Sequence, residues 1–457
     1  MNKKDYGLGS LDIRSLVLKL SIPSIIAMLS NALYNIVDRI FIGHFVNEVA
    51  IGGVYVTMPI TMVVMSCHML ASIGGSTLMS IALGKKDHKK AEEYLNTAFV
   101  MILIFSAIIT GVAFIFGDNI LRLFGTTPEN HEYAASYFKY IIYGFPASMI
   151  GFGMNNFIRS AGDAKGAMTT ILIGVITNII LDPIFIKTFN MGVAGAALAT
   201  IISQYISMVW VLKFFLDKKS VVGLEKKSMG LKPAMVFEIV ENGMAQFSIN
   251  MANAVVNSII VVKMADIGGA IGVTVLSILG SVTSLFFMPM FGINQGLQPI
   301  IGYNYGARDY KRLSEAYKTG AIFSSIIAMV VFFVIMVFPH SIGRLFLNSN
   351  ADPKVFEYLT VALRKSMLAS PVLGIAITGT AFFSAVRRPK IAMFTSLLRQ
   401  LLILVPLMYI MPEIWGIDGF WWAYTISDFL SFLIVLYYLV RVFRDVKREC
   451  EYEGELL

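Results

Sequence analysis

Twelve separate runs of mostly apolar residues dominate this sequence, and a membrane-spanning helix needs roughly 20 such residues. Charged residues make up only 14% of the chain and apolar residues 56%, whereas about 25% of the residues in a soluble domain are charged. The sequence therefore predicts an all-α polytopic membrane protein with 12 transmembrane helices, and a soluble globular protein is excluded. The predicted spans are approximately residues 16–43, 52–83, 94–116, 133–157, 166–187, 192–216, 235–264, 270–302, 318–338, 356–385, 390–410 and 418–440.

The basic residues alternate along the chain, because they concentrate in every second loop between the predicted spans. Of the 37 Lys and Arg residues, 27 lie in segments on the side of the N-terminus and five lie in the opposite loops. Loops rich in Lys and Arg stay in the cytoplasm. We therefore expect a multi-pass protein of the cell (plasma) membrane with both termini cytoplasmic. The net charge of +8 is explained by this topology and does not call for nucleic acid as a partner.

The chain also repeats itself at a separation of 222 to 225 residues. The segment SIALGKKDHKKAEEYLNTA (80–98) aligns with GYNYGARDYKRLSEAYKTG (302–320), and GVAG (192–195) aligns with GIDG (416–419). These matches predict two pseudo-symmetric lobes of six helices each. The expected division is an N-terminal lobe at 1–216, a cytoplasmic linker at 217–233, a C-terminal lobe at 234–441 and a cytoplasmic tail at 442–457. Parallel repeats of this kind are typical of transporters that bind their substrate between the halves.

Two carboxylates lie inside predicted spans of the first lobe. Asp38 in span 1 and Asp182 in span 5 are each about five residues from the outer end, so we expect them at similar depth. Asn31 and Asn35 share a helix face with Asp38, and Asn178 lies one turn before Asp182. Ionisable groups at membrane depth are costly and indicate function. The pattern predicts a polar pocket that binds H⁺ or Na⁺. The alternative for Asp38 is an ion pair with the adjacent Arg39 or an approach to the outer interface.

Other polar and irregular positions have simpler interpretations. Arg399 and Asp428 lie mid-span in helices 11 and 12 and are predicted to form a structural ion pair. Pro23 predicts a kink in helix 1. A methionine stripe on helix 2 is either packing or a soft, adaptable substrate surface; its members are Met58, Met62, Met65 and Met69.

Enzyme chemistry has no support in the sequence. The five histidines show no metal-ligand spacing, and there is no phosphate-binding glycine loop or nucleophile elbow. We therefore expect a protein that is not an enzyme and has no cofactor.

Five segments together resemble the multidrug and toxic compound extrusion (MATE) family, and its DinF-like branch in particular. They are LYNIVDRIFIG (33–43), RSAGDAKGAM (159–168), NIILDPIFI (178–186), GVAGAALAT (192–200) and GINQGLQPIIGYNYGA (292–307). The resemblance covers nearly the whole chain. It implies a V-shaped, monomeric body of two six-helix lobes in the bilayer. It also implies export of amphiphilic, often cationic small molecules in exchange for H⁺ or Na⁺ by alternating access.

The resemblance also assigns roles to particular residues. It implies a cation site in the N-terminal lobe, with Na⁺ as one candidate ion, formed by Asp38, Asn155, Asn178, Asp182 and Thr200. It implies that the bend of helix 1 at Pro23 is linked to protonation. The C-lobe acids used by the NorM-like branch have no clear counterpart here. The expected substrate cavity between the lobes includes Asn31, Asn35, Met58, Met62, Met65, Met69, Gln295 and Gln298.

Three other functions remain open at this point. The first is a lipid-linked sugar flippase of the same superfamily, which the cations Arg364 and Arg399 would favour. The second is a membrane-embedded enzyme, for which the sequence offers no catalytic set. The third is a membrane scaffold without turnover, which the acid pair argues against.

Overall fold

A computed structural model of the protein describes residues 7–45, 54, 57–123, 126, 131–217, 221–225, 228–346 and 353–452. The side chains of Asn35, Asp38 and Met58 lie outside this described part, so the predictions made for them stay predictions. Within it, almost every residue is helical.

The first half of the chain forms six long helices. They are α1 (Ile13–Phe45), α2 (Met58–Gly84), α3 (His88–Leu123), α4 (His131–Ser160), α5 (Ala164–Pro183) and α6 (Gly192–Leu216). A π-helical turn, Ile184–Thr188, continues α5. Pro183 explains this turn, because proline has no N–H to donate and cannot continue the regular hydrogen-bond ladder.

The second half begins with α7 (Pro233–Gly269) and α8 (Ile271–Gly306), followed by six further helical segments. These are α9 (Tyr310–Val337), α10 (Pro339–Phe346), α11 (Pro353–Ser366), α12 (Ser370–Ala385), α13 (Pro389–Leu397) and α14 (Val405–Tyr452). A π-helical segment, Leu398–Leu404, joins α13 to α14.

The predicted twelve-span fold is confirmed, with corrections to individual boundaries. Nine helices in the described ranges are long and apolar enough to cross a membrane, or ten if the pair α11 and α12, bent by 54°, is one span. Two predicted spans are not counted among these ten. One is α4, which is more polar. The other arises because predicted spans 11 and 12 lie in one continuous element, Pro389–Glu451, which Gly416 divides; its φ of 58° lies in the left-handed region that favours glycine.

The helix bundle shows the repeat directly in its backbone contacts. A Cβ atom placed on Gly84 of α2 would lie 1.9 Å from the carbonyl oxygen of Tyr303, and one on Gly306 of α8 would lie 2.0 Å from that of Ile81. The two glycines are 222 residues apart in the chain, and so are their two partners. The ends of α2 and α8 therefore cross as pseudo-symmetric partners, at a distance that only glycine permits.

The same relation holds deeper in the bundle. A Cβ atom on Gly74 of α2 would lie 2.9 Å from the backbone nitrogen of Gly243 in α7, and one on Gly296 of α8 would lie 2.7 Å from that of Ser21 in α1. Helices α1, α2, α7 and α8 thus form the contact between the two halves. These close approaches lie towards the face of the bundle where α1 begins and α2 ends, which we call the N-terminal face.

The start of α1 packs into the core of the second half. Leu16, Val17 and Leu20 belong to one buried cluster with Leu297 and Ile300 of α8. The predicted boundary between lobes stays a prediction, but α1 contributes to both halves.

The segment between the halves is held against α3. Asn96 is fully buried, donates to the carbonyl oxygen of Gly223 at 3.2 Å and accepts from the backbone N–H of Glu225 at 3.1 Å. Thr97 donates to the carbonyl oxygen of Gly230 at 3.2 Å. Two adjacent polar residues of α3 thus fix the path of this segment.

Candidate functional site

A buried polar cluster lies between α5 and α6. Asp182 is 0% exposed, and Asn178 and Thr200 are also buried. With the Asn178 amide oriented so that its oxygen accepts from the Thr200 backbone N–H at 3.3 Å, its nitrogen donates to Asp182 Oδ2 at 2.9 Å. Tyr34 of α1 lies with its hydroxyl 3.2 Å from Thr200 Oγ1. Three helices therefore bring amide, hydroxyl and carboxylate groups together at membrane depth.

The local helix geometry explains how Asp182 reaches this position. Asn178 and Asp182 are one turn apart, so both side chains lie on the same face of α5. Directly after them Pro183 and the π-helical turn interrupt the regular ladder. π-helical turns are frequent at functional sites. A buried carboxylate is costly unless it is hydrogen-bonded, paired or protonated, so the Asn178 bond is part of what permits Asp182 here.

A cavity adjoins this cluster inside the N-terminal half. Its volume is about 50 Å³, well below the roughly 300–1,000 Å³ of small-molecule sites, so in this state it has room for an ion with a few water molecules rather than for a drug-sized substrate. Helices α1, α4, α5 and α6 form its walls. Its polar lining includes Asn31, Tyr34, Asn155, Thr170, Asn178 and Gln204.

The floor of the cavity is connected to the contact between the halves by a buried arginine. Arg159, near the end of α4, donates to Asn155 Oδ1 at 2.5 Å and to the side-chain oxygen of Gln295 in α8. Asn155 in turn donates to the carbonyl oxygen of Ala167 at 2.8 Å and to the hydroxyl of Thr170. The Asn155 oxygen therefore accepts from a guanidinium in this state, and its predicted role as a cation ligand stays a prediction.

Two glutamines expected in the substrate cavity lie at the contact between halves. Gln295 bonds to Arg159 and has its Nε2 3.5 Å from the sulfur of Met28, and Gln298 donates to Thr77 Oγ1 at 2.6 Å. Both bonds join α8 to helices of the N-terminal half. The two glutamines thus help to close the bundle at the N-terminal face in this state. We call these contacts of Gln295 and Gln298 the seal.

The remaining predicted residues are spread along α1 and α2. Asn31 lines the cavity, and Pro23 is buried within the continuous α1. Met62 and Met65 are 46% and 42% exposed. Met69 accepts from Asn250 of α7 at 3.1 Å, so it lies at the contact between the halves, and the role of the stripe in a substrate cavity stays a prediction.

In the C-terminal half, the predicted ion pair is present. Arg399 Nη1 lies 2.7 Å from Asp428 Oδ1. The hydroxyl of Ser427 donates to the carbonyl oxygen of Arg399 at 2.8 Å.

Sequence reasoning missed Arg159 and Tyr34. Arg159 was counted with the basic loop residues, yet it is 5% exposed. Its position at the start of the segment RSAGDAKGAM (159–168), one of the five segments with family resemblance, was the available signal.

The donor chemistry of the cluster fits a hard monovalent cation or a proton. Carboxylate, amide and hydroxyl oxygens suit hard cations and do not suit soft transition metals. Within the part of the chain that the structure describes, no three His, Cys, Asp or Glu side chains converge on a point that could hold a metal ion.

Comparison with known proteins identifies a family model and two relatives that match most of the chain. The family model MatE matches residues 23–184 and 245–410. The multidrug export protein MepA of Staphylococcus haemolyticus is 27% identical over 419 residues, 91% of each chain. MepA of Staphylococcus aureus is 25% identical over 423 residues, 92% of each chain.

Solved structures share the fold. A MOP superfamily transporter from Pyrococcus furiosus superimposes with a TM-score of 0.92 at 23% identity. The superposition covers 98% of this chain and 100% of that one. A multidrug resistance MATE family transporter in an outward-facing conformation also gives 0.92, at 22% identity and the same coverage.

Proposed function

This chain belongs to the MatE family, and from that premise we propose that it is a multidrug efflux antiporter. It is a membrane transporter and not an enzyme. In our proposal it exports amphiphilic, often cationic compounds in exchange for H⁺ or Na⁺ by alternating access. The relatives of similar length that carry the name multidrug export protein support the substrate class.

The observation that carries the proposal is the buried Asp182 with its partners. A carboxylate that is 0% exposed and accepts from the Asn178 amide lies where a negative charge is costly, so the position favours binding of a proton or a cation. A small polar cavity lies beside it, between α1, α4, α5 and α6. A cation bound there alters the electric field felt by a substrate in the cavity between the lobes.

The coupling step follows from this geometry. We place the incoming cation at Asp182, with Asp38, Asn178 and Thr200 as further ligands. Binding neutralises the carboxylate and removes its attraction for a cationic substrate, so the substrate is released. A ligand shifts a conformational equilibrium only by its differential affinity for the two states. Arg159 is suited to transmit the change, because it bonds both to Asn155 on the cavity floor and to Gln295 across the seal.

We assign the sealed N-terminal face to the cytoplasm, in a plasma membrane of bacterial type. The support is the excess of Lys and Arg in the loops on that side. In this assignment the structure is closed towards the cytoplasm, and the predicted lobes rock about the contact of α1, α2, α7 and α8. A monomer is sufficient for this cycle.

The proposal is tested by efflux of a fluorescent lipophilic cation from proteoliposomes. A pH gradient and a Na⁺ gradient are imposed separately on the wild-type protein. We expect one of the two gradients to drive transport above the rate in liposomes without protein. Absence of transport under either gradient, for protein shown to be folded, would contradict the antiport proposal and favour a lipid-linked sugar flippase.

The orientation has its own test, because the chain has two cysteines. Cys450 lies near the end of α14, and Cys67 lies within α2. In a Cys67→Ser variant, we expect a membrane-impermeant maleimide to label Cys450 in inverted membrane vesicles and not in intact cells. Labelling in intact cells, with the Cys67→Ser/Cys450→Ser variant as unlabelled control, would place the C-terminus outside.

A further inference from the structure

The repeat places the Arg399–Asp428 pair where the N-terminal half has its cavity. Arg399 follows Gly174 by 225 residues when α5 is aligned with α13 and the π-helical segment after it. Asp428 follows Gln204 by 224 residues when α6 is aligned with α14. Gly174 and Gln204 both line the cavity. The two halves thus use corresponding positions differently: one contains an open space and the other a pair of charges.

The neighbouring hydroxyl groups persist in both halves. Ser203 and Ser207 line the cavity, and their counterparts are Ser427 and Ser431. Ser427 donates to the Arg399 carbonyl oxygen. Ser431 is buried, and its hydroxyl has no hydrogen-bond partner among the residues that the structure describes. The C-terminal half therefore has serine hydroxyl groups at the positions that line the cavity in the N-terminal half, together with the ion pair.

The acid cluster itself has no counterpart. Asn178, Asp182 and Thr200 correspond to Ile403, Leu407 and Tyr424. The carboxylate that remains in this region is Asp428, located about one turn closer to the N-terminal face than the position that matches Asp182. At the corresponding positions the C-terminal half lacks the cation ligands and has a carboxylate together with a permanent cation.

Arginine is suited to this arrangement. Its guanidinium stays protonated at any physiological pH, and it cannot dissociate from the protein as Na⁺ or H⁺ can. The Arg399 side chain is 37% exposed and the Asp428 side chain 11%, so the guanidinium covers the carboxylate. Because a single charge at membrane depth is costly, removing Arg399 would leave Asp428 in need of another cation.

We propose that Arg399 is a tethered counter-cation that occupies Asp428 permanently and thereby restricts cation coupling to the N-terminal half. Asp428 is a latent site for a monovalent cation, H⁺ or Na⁺, and Arg399 determines how many cations are exchanged per substrate. This inference rests on the proposed function of the Asp182 cluster.

The test removes the two sites separately in purified protein in liposomes. Binding of radioactive Na⁺ and uptake of protons, followed with a pH indicator, are measured for the wild type, Asp182→Asn, Arg399→Gln and the double variant. We expect Asp182→Asn to lose cation binding and the double variant to regain it. Adding Asp428→Asn should abolish the regained binding. The described ionisable groups that interact electrostatically with Asp428 are Arg399 and Tyr424, so Tyr424→Phe serves as the control for titration of the phenol.

Two results would overturn the inference. One is a folded Arg399→Gln protein that binds no additional Na⁺ or proton in the Asp182→Asn background. The other comes from Arg399→Met/Asp428→Leu, in which apolar residues replace both charges, a change that is often neutral or stabilising for buried pairs. We expect this variant to transport with the wild-type number of cations per substrate. A folded protein that loses coupling would show that the pair takes part in the cycle. A failure of the proposed function is distinguishable, because Asp182→Asn would then leave the wild-type binding intact.

Discussion

Asp182→Asn is expected to abolish gradient-driven efflux while the protein remains folded. The amide has nearly the same shape as the carboxylate and can still bond to Asn178, but it cannot take up a proton or hold Na⁺ by charge. We expect the transport rate in proteoliposomes under the active gradient to fall by about tenfold or more, equivalent to about 1.4 kcal/mol or more. Thermal stability should be unchanged or higher, because a buried charge has been removed.

A matched control is Asp118→Asn. Asp118 is a carboxylate on α3 that is paired with Arg122 at 2.8 Å and has an exposed side chain. Loss of this pair should leave transport unaffected, since exposed ion pairs contribute little. Full gradient-driven transport in Asp182→Asn would rule out Asp182 as the coupling carboxylate. Equal loss in both variants would point to a general effect of charge removal.

Gly306→Val is expected to prevent closure of the N-terminal face. A Cβ atom at this position would lie 2.0 Å from the carbonyl oxygen of Ile81, and backbone atoms of a packed helix cannot move aside as a flexible side chain can. Overpacking of this kind costs about 1–3 kcal/mol or more. The equilibrium should therefore shift towards the state open at this face. Transport should be largely lost, and a cysteine introduced at the buried Ser80 should react faster with a maleimide added on that side.

The repeat provides a second variant and a control. Gly84→Val, at the pseudo-symmetric position 1.9 Å from the Tyr303 carbonyl oxygen, should have the same effect as Gly306→Val. Gly280 lies in the same helix as Gly306, and apart from the adjacent backbone no atom of the described residues lies within 4 Å of an added Cβ, so Gly280→Val should transport normally. If Gly306→Val transports at the wild-type rate, the close crossing of α2 and α8 is not required for the cycle.

The Arg159 network shows where prediction from sequence reaches its limit. Basic residues at helix ends usually lie in solvent or near headgroups, and Arg159 was predicted with them. It is buried because α8 supplies the side chain of Gln295 from 136 residues away in the chain. Family resemblance predicts Asn155 as a cation ligand, and the structure adds that its oxygen accepts from Arg159 in this state. Neither contact follows from local pattern, because both depend on how the two halves meet.

The sequence alone determined the class of the protein, because the bilayer imposes a local rule on every span: about 20 apolar residues with satisfied backbone bonds. The same rule singled out Asp182 and predicted the ion pair of Arg399 with Asp428, because charged groups inside a span are costly, and the repeat predicted the pseudo-symmetric halves. Only the tertiary structure decided which polar groups meet. The bond of Arg159 to Gln295, the place of Gln298 at the seal and the crossing of α2 with α8 all arise from helices that pack across long separations in the sequence. Glycine contacts and side-chain hydrogen bonds between helices set this geometry. Hydrophobic periodicity cannot predict them, because it describes only which face of a single helix is apolar.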